Sequence, residues 1–170
     1  MRSSIRYTFG VATVVSISAA PSPAAGQAAS PNACSLFDAA ELQQLTGRKD
    51  ILGKGPQASS PSDLPKYMSE CDFLEMSFTL TTTMTPEWFA RNRQQSEARP
   101  DKWKVQSTSG LGDEGYYLWD PRPGQYRSVG VVFRVASKQV AIGSMVPSDS
   151  VEVMKPKLLT LAKQVIPRLK

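Results

Sequence analysis

Gly110, Gly112 and Gly115 stand at the G-x-G-x-x-G spacing of a dinucleotide-binding loop, and Asp113 and Glu114 between them form a carboxylate pair. Glycines so spaced can cradle a pyrophosphate only where a strand precedes and a helix follows, because the anion rests on the helix N-terminus. The residues that follow are Tyr116-Tyr117-Leu118-Trp119, which are strand formers. The turn signal Asp120-Pro121-Arg122-Pro123-Gly124 then comes too soon for a crossover helix. We therefore expect a glycine turn between two strands, with no nucleotide site and no cofactor. Adjacent residues of a strand point to opposite faces, so Asp113 and Glu114 would not flank one scissile bond. They are expected at the turn, exposed or bonded to local amides.

The chain contains no histidine. A Ser-His-Asp or Cys-His system needs an imidazole to take the nucleophile's proton, and most zinc sites need imidazole or several thiolates. Those mechanisms are excluded and no metal site is expected. Carboxylate, Lys or Tyr chemistry survives, with Ser-Lys and paired-carboxylate arrangements as its main forms. Cys34 and Cys71 are the only cysteines, an even pair. In a chain bound for an oxidising compartment they read as a disulfide, since a catalytic or metal-binding thiol would lack a partner.

The densest remaining feature is aromatic: Tyr116, Tyr117, Trp119 and Tyr126. Alternation sends Tyr117 and Trp119 to one face of their strand and Tyr116 to the other. One set is expected in the core, and the exposed set could line a binding groove. Trp88, on a preceding helix, reads first as a core anchor and second as a wall of that groove.

The elements that must position these residues follow from local signals. Asp38-Ala39-Ala40-Glu41 reads as a capping box, Leu42 and Leu45 share a face, and Gly47 suits a left-handed C-terminal cap, which predicts a helix over 39–46. Lys49 to Lys66 is rich in Gly, Pro and Ser; it reads as flexible loop with one short strand near Ile51. Ser77 to Met84 alternates, with 78, 80 and 84 on one face. Thr85-Pro86 starts a second helix, running to about Ala98, that docks through Trp88 and Phe89 and leaves Arg91 and Arg93 in water. Strands are expected over 103–107 and 116–119. Val129–Val135 and Gln139–Val146 form a hairpin about the polar Ala136-Ser137-Lys138. Positions 129, 131, 133 and 135 share one face of the first strand, and 140, 142 and 146 share one of the second. A final helix through Leu169, capped from Ser148-Asp149-Ser150, buries Leu158, Leu161, Ala162, Val165, Ile166 and Leu169 and turns its lysines to water. Pro156 should break it or delay its start. Without repeating strand–helix–strand units, the order predicts an α+β fold: an antiparallel sheet carrying about three helices, with one disulfide.

At the N-terminus, Arg2 and Arg6 precede a run of apolar and small residues to Ala20, followed by PSPAAGQAAS. That is the layout of a secretory signal peptide, too short to span a bilayer. We expect residues 1–28 to be the signal, cleaved after Gly26 or Ala28, and 29–170 to form a single domain without a transmembrane span. Neither cysteine is placed for a lipoprotein anchor. The net charge of +5 falls by two to +3 once Arg2 and Arg6 leave. With no dense basic run, no nucleic-acid partner is expected.

Asn32-Ala33-Cys34-Ser35-Leu36-Phe37-Asp38-Ala39-Ala40-Glu41-Leu42, the second cysteine in Glu70-Cys71-Asp72-Phe73, and Gly110 to Tyr117 together resemble a widespread group of small uncharacterised bacterial exported proteins and lipoproteins. The resemblance covers most of the chain after the signal. It implies an envelope location, a Cys34–Cys71 disulfide and a helix-flanked antiparallel sheet, and it carries no activity. The sequence therefore supports first an exported, periplasmic or secreted, non-catalytic domain that binds a protein or envelope component. The alternative is a binder of a small apolar or lipid-like ligand in a groove between sheet and helices, lined by Tyr116, Tyr117, Trp119 or Trp88. A carboxylate- or Lys-dependent enzyme comes third.

Overall fold

A computed structural model of the chain describes residues 32–37, 39–47, 57–58, 64–73 and 76–169. The expected signal peptide, the Asp38 cap and the strand near Ile51 lie outside the described residues, as does most of the Lys49–Lys66 stretch.

Among the described residues there are seven strands and three α-helices. The strands are β1 (Gln57–Ala58), β2 (Met68–Phe73), β3 (Met76–Thr81), β4 (Lys104–Thr108), β5 (Glu114–Trp119), β6 (Tyr126–Val135) and β7 (Lys138–Pro147). They form one sheet in the order β1-β2-β3-β7-β6-β5-β4, and every neighbouring pair is antiparallel. The helices are α1 (Ala39–Thr46), α2 (Pro86–Glu97) and α3 (Val151–Val165). The expected α+β architecture is the observed one. The two-residue β1 has no periodic signal and went unexpected.

One sheet face carries the main core. Phe78 and Leu80 of β3, Val131 and Phe133 of β6, and Val140 and Ile142 of β7 pack under Leu158, Leu161, Ala162 and Val165 of α3, and Leu42 of α1 joins them. A 3-10 turn at Ala33–Ser35 is tied to β2 beneath this layer by the Cys34–Cys71 disulfide, with an S–S distance of 2.04 Å and Cα atoms 5.0 Å apart. Gly47 closes α1 at φ +71°, its amide donating to the Gln43 carbonyl at 2.8 Å.

Helix α3 crosses Pro156 without a break, against expectation. Proline removes only the amide bond to the carbonyl of Glu152, and both residues lie on the exposed side, where water can satisfy that carbonyl. Lys155 of this helix is also not solvated as expected: it is buried, with Nζ 3.7 Å from the centre of the Trp119 ring. There it donates to Glu152 Oε1 at 2.7 Å and to Gln106 Oε1 at 3.2 Å. Its long stem covers the aromatic ring while the ammonium keeps polar partners.

Helix α2 packs on the opposite sheet face. Thr85 caps it as expected, Oγ1 accepting from the Trp88 amide at 3.3 Å with Pro86 beginning the first turn. Phe89 is buried against Tyr116, Val132 and Met84. Trp88, expected as a core anchor, is instead 54% exposed. The half-buried stripe is Asn92, Arg93 and Ser96, which continues Phe89 at helical spacing; Trp88 lies about 100° round the helix from Phe89. Arg93 belongs to this docked face, donating to Ser107 Oγ of β4 at 2.9 Å and to Glu97 at 2.8 Å. Met84 also departs from expectation. Strand β3 ends at Thr81, the chain bends, and Met84 joins the α2 side instead of the face of Phe78 and Leu80.

The β6–β7 connection is one residue shorter than expected. Val135 pairs with Lys138 across a two-residue turn, Ala136-Ser137, with Ala136 at φ +53°. This register places Val131 opposite Ile142 and Phe133 opposite Val140, so both apolar sets enter the same core.

Candidate ligand groove

The sheet face that carries α2 is only partly covered by it. Beyond the helix, one cross-strand row runs Asp72 (β2), Ser77 (β3), Gly143 (β7), Gly130 (β6) and Leu118 (β5), each residue directly opposite the next. Two adjacent glycines in that row leave no side chains at the middle of the sheet. Their neighbouring rows do carry them: Val132 opposite Ala141 on the α2 side, and Ser128 opposite Met145 on the other. The result is a trench with a backbone floor, about 370 Å³ in volume, closed at one end by Leu118 and Trp103 and at the other by Ser77 and Asp72. A row of five strands is roughly 19 Å long at the ordinary inter-strand spacing. A Cβ on Gly143 would sit 3.0 Å from Ser77 Oγ, and one on Gly130 3.1 Å from the Ile142 carbonyl oxygen.

The trench walls are mostly apolar, and Met145, 42% exposed, is an adaptable thioether at its rim. Polar groups sit at the margins: Asp72 and Ser77 at one end, and Ser128, whose hydroxyl lies 3.1 Å from Met145 Sδ.

The aromatic residues singled out in the sequence lie elsewhere. Tyr117 and Trp119 face the α3 core, as alternation from Tyr116 requires. Tyr116 is buried beneath Phe89, ring centres 5.4 Å apart, and burial pushes its phenol up to about 12. It borders a separate polar recess with Asn92, Gln95, Ser96, Arg99 and Trp103. Trp88 is on the outer side of α2. The lining residue of β5 is their neighbour Leu118. Trp103, Leu118, Gly130, Gly143, Met145 and Asp72 were not singled out by the sequence. One signal was present: glycines inside two strand patterns mark places where side chains are missing for a reason.

The glycine loop is a structural clamp. Gly110 and Gly112 take φ +76° and +56°, and the Asp113 amide donates to the Arg134 carbonyl at 2.9 Å. The carboxylate of Asp113 accepts from the Ala136 amide at 2.9 Å and lies 3.0 Å from Arg134 Nη1. Glu114 lies 2.9 Å from Arg134 Nη2. Arg134 is itself buried and also donates to the Ala136 carbonyl. The two acids of the sequence motif therefore hold the buried guanidinium and the β6–β7 turn. Asp120, in the next loop, is drawn down to about 2 by hydrogen bonds from the Arg122 side chain and amide.

Among the described residues, no group of three or more Cys, Asp or Glu is arranged to hold a metal ion, and no helix is long and apolar enough to cross a membrane. No known protein-family model matches the chain, and no curated protein matches it.

Proposed function

We propose that this chain is an exported, periplasmic or secreted, non-catalytic binding domain, and that it takes a small apolar or lipid-like molecule in the Gly130–Gly143 trench. The observation that carries the reading is the trench itself: a preformed, mainly apolar recess with a few polar groups at its ends. Its volume is on the scale of small-molecule sites, roughly 300–1,000 Å³. A protein partner, the first expectation from sequence, would need a far broader surface, about 800 Å² per side. Export is supported by the signal-like N-terminus and by a cystine, which persists in oxidising compartments. The non-catalytic reading rests on the missing histidines and on the commitment of Asp113 and Glu114 to Arg134.

The test is native mass spectrometry of the protein gently purified from its own envelope, beside the variant Gly143→Val. A side chain at 143 fills the trench floor. The wild type should carry a co-purifying small molecule that the variant loses while keeping the circular dichroism of the folded protein. A wild type of clean apo mass, or a variant that retains the ligand, would sink the proposal.

A further inference from the structure

The two ends of the trench differ in chemistry. At the β5 end stand Leu118 and the Trp103 indole; at the β2 end stand the Ser77 hydroxyl and the exposed Asp72 carboxylate. No ion-pair partner of Asp72 stands among the described residues, in contrast to Asp113, Glu114 and Asp120, each paired with an arginine. Asp72 reaches this position because β2 alternates. Cys71 and Phe73 turn into the core on one face, so Asp72 turns to the trench on the other. Of its two cross-strand neighbours, Gln57 of β1 stands on the side away from the trench, and Ser77 of β3, on the trench side, is small and leaves the carboxylate open to it.

From this asymmetry we infer that the trench selects a cationic amphiphile, its apolar chain lying across Gly143 and Gly130 toward Trp103 and its positively charged head meeting Asp72 and Ser77. The inference rests on the trench being a ligand site, and it names the class of ligand. It also runs against the overall field of the molecule. With a net charge of +5, or +3 once Arg2 and Arg6 leave with the signal, unspecific electrostatics would favour an anionic amphiphile such as a fatty acid. A preference for a cation must therefore come from the local carboxylate. The apolar chain supplies most of the affinity, since burial of methylenes is favourable wherever the head sits. The carboxylate supplies the choice of head group.

Three probes with the same chain separate these contributions: decyltrimethylammonium, 1-decanol and decanoate, each titrated calorimetrically below its aggregation concentration into the full chain. The cation should bind best, about fivefold more tightly than the alcohol at low salt, the span expected of an exposed charge contact. Decanoate should bind more weakly than the alcohol. Added salt should narrow the ranking, because the contact is screened. Asp72→Asn is an exposed, near-isosteric change; it should weaken the cation, strengthen decanoate and so abolish the preference between the two. Decanoate binding as well as the cation, or Asp72→Asn retaining the preference, overturns the inference while leaving the trench a ligand site. No binding of any of the three overturns the site and the inference together.

Discussion

Replacing Gly112 by alanine separates a structural glycine loop from a merely flexible one. At φ +56°, a Cβ on residue 112 would lie 2.2 Å from the Arg134 carbonyl oxygen and 2.7 Å from Val135 Cγ2. The nearer atom is backbone, held in β6 between β5 and β7, and cannot rotate away. The loop must move instead, and with it the Asp113 amide that donates to that same carbonyl. The left-handed conformation costs a non-glycine residue about 1–2 kcal/mol, and the lost hydrogen bond about 1 kcal/mol more. Loosening of the Asp113 contact with Arg134 brings the expected total to about 3 kcal/mol. Gly110 is the internal control. At φ +76° its Cβ would meet nothing within 4 Å, so Gly110→Ala should cost only the conformational part, about 1 kcal/mol. Urea unfolding with the disulfide intact measures both. Gly112→Ala should lower the midpoint far more than Gly110→Ala, at an unchanged slope. Equal losses, within about 0.5 kcal/mol, would refute the claim that close approach to β6 is what demands glycine at 112.

Four further outcomes are expected. Ala136→Gly should stabilise the protein by about 1 kcal/mol in the same assay, because Ala136 holds φ +53° in the β6–β7 turn. Replacing both Cys34 and Cys71 by serine opens a loop of sequence separation 37 and should cost about 4 kcal/mol in the chain-entropy model; thiol labelling of unfolded, unreduced wild type should modify neither. Ser144 is buried with its hydroxyl unpartnered, so Ser144→Ala should raise stability by about 1 kcal/mol, seen as a higher melting temperature. Burial, the dominant cause, moves the Tyr116 phenol from 10.0 to about 12, which favours its neutral form in the folded state. Its contribution is complete below pH 10 and lost as pH rises from 10 to about 12. Tyr116→Phe should therefore flatten the fall of stability over that window; an unchanged alkaline profile would count against the assignment.

Much of the fold was legible locally. Thr85-Pro86, Gly47 and the apolar stripe of α3 are signals satisfied within a turn or two of chain, and alternation placed Tyr116 opposite Tyr117 and Trp119 correctly. Legibility failed where the outcome depended on what another element presents. Trp88 and Phe89 are equally apolar neighbours, yet only one can point at the sheet from a helix; the choice follows from how α2 lies on β4 and β5. Lys155 reads as a solvated lysine until Trp119 and Gln106 are brought beneath it. Pro156 breaks a helix in isolation, but the tertiary burial of Leu158, Leu161 and Val165 outweighs one missing hydrogen bond.

By itself, the sequence determined which mechanisms lacked their imidazole, through its lack of histidine; which pair could form a cystine; and the period of the longer strands and helices. Only the tertiary structure decided the phase between them. Alternation has a period of two, so a turn of two residues in place of three reverses which face of β7 meets which face of β6. With Lys138 in the turn, Gly130 would face Ser144; with Lys138 in the strand, it faces Gly143. That single step of register puts Val140 and Ile142 in the core with Val131 and Phe133, and opens the trench on the other side. Periodicity is carried by side chains a few residues apart. Register is set by the fit of whole strands against one another, and it is there that the candidate site was made.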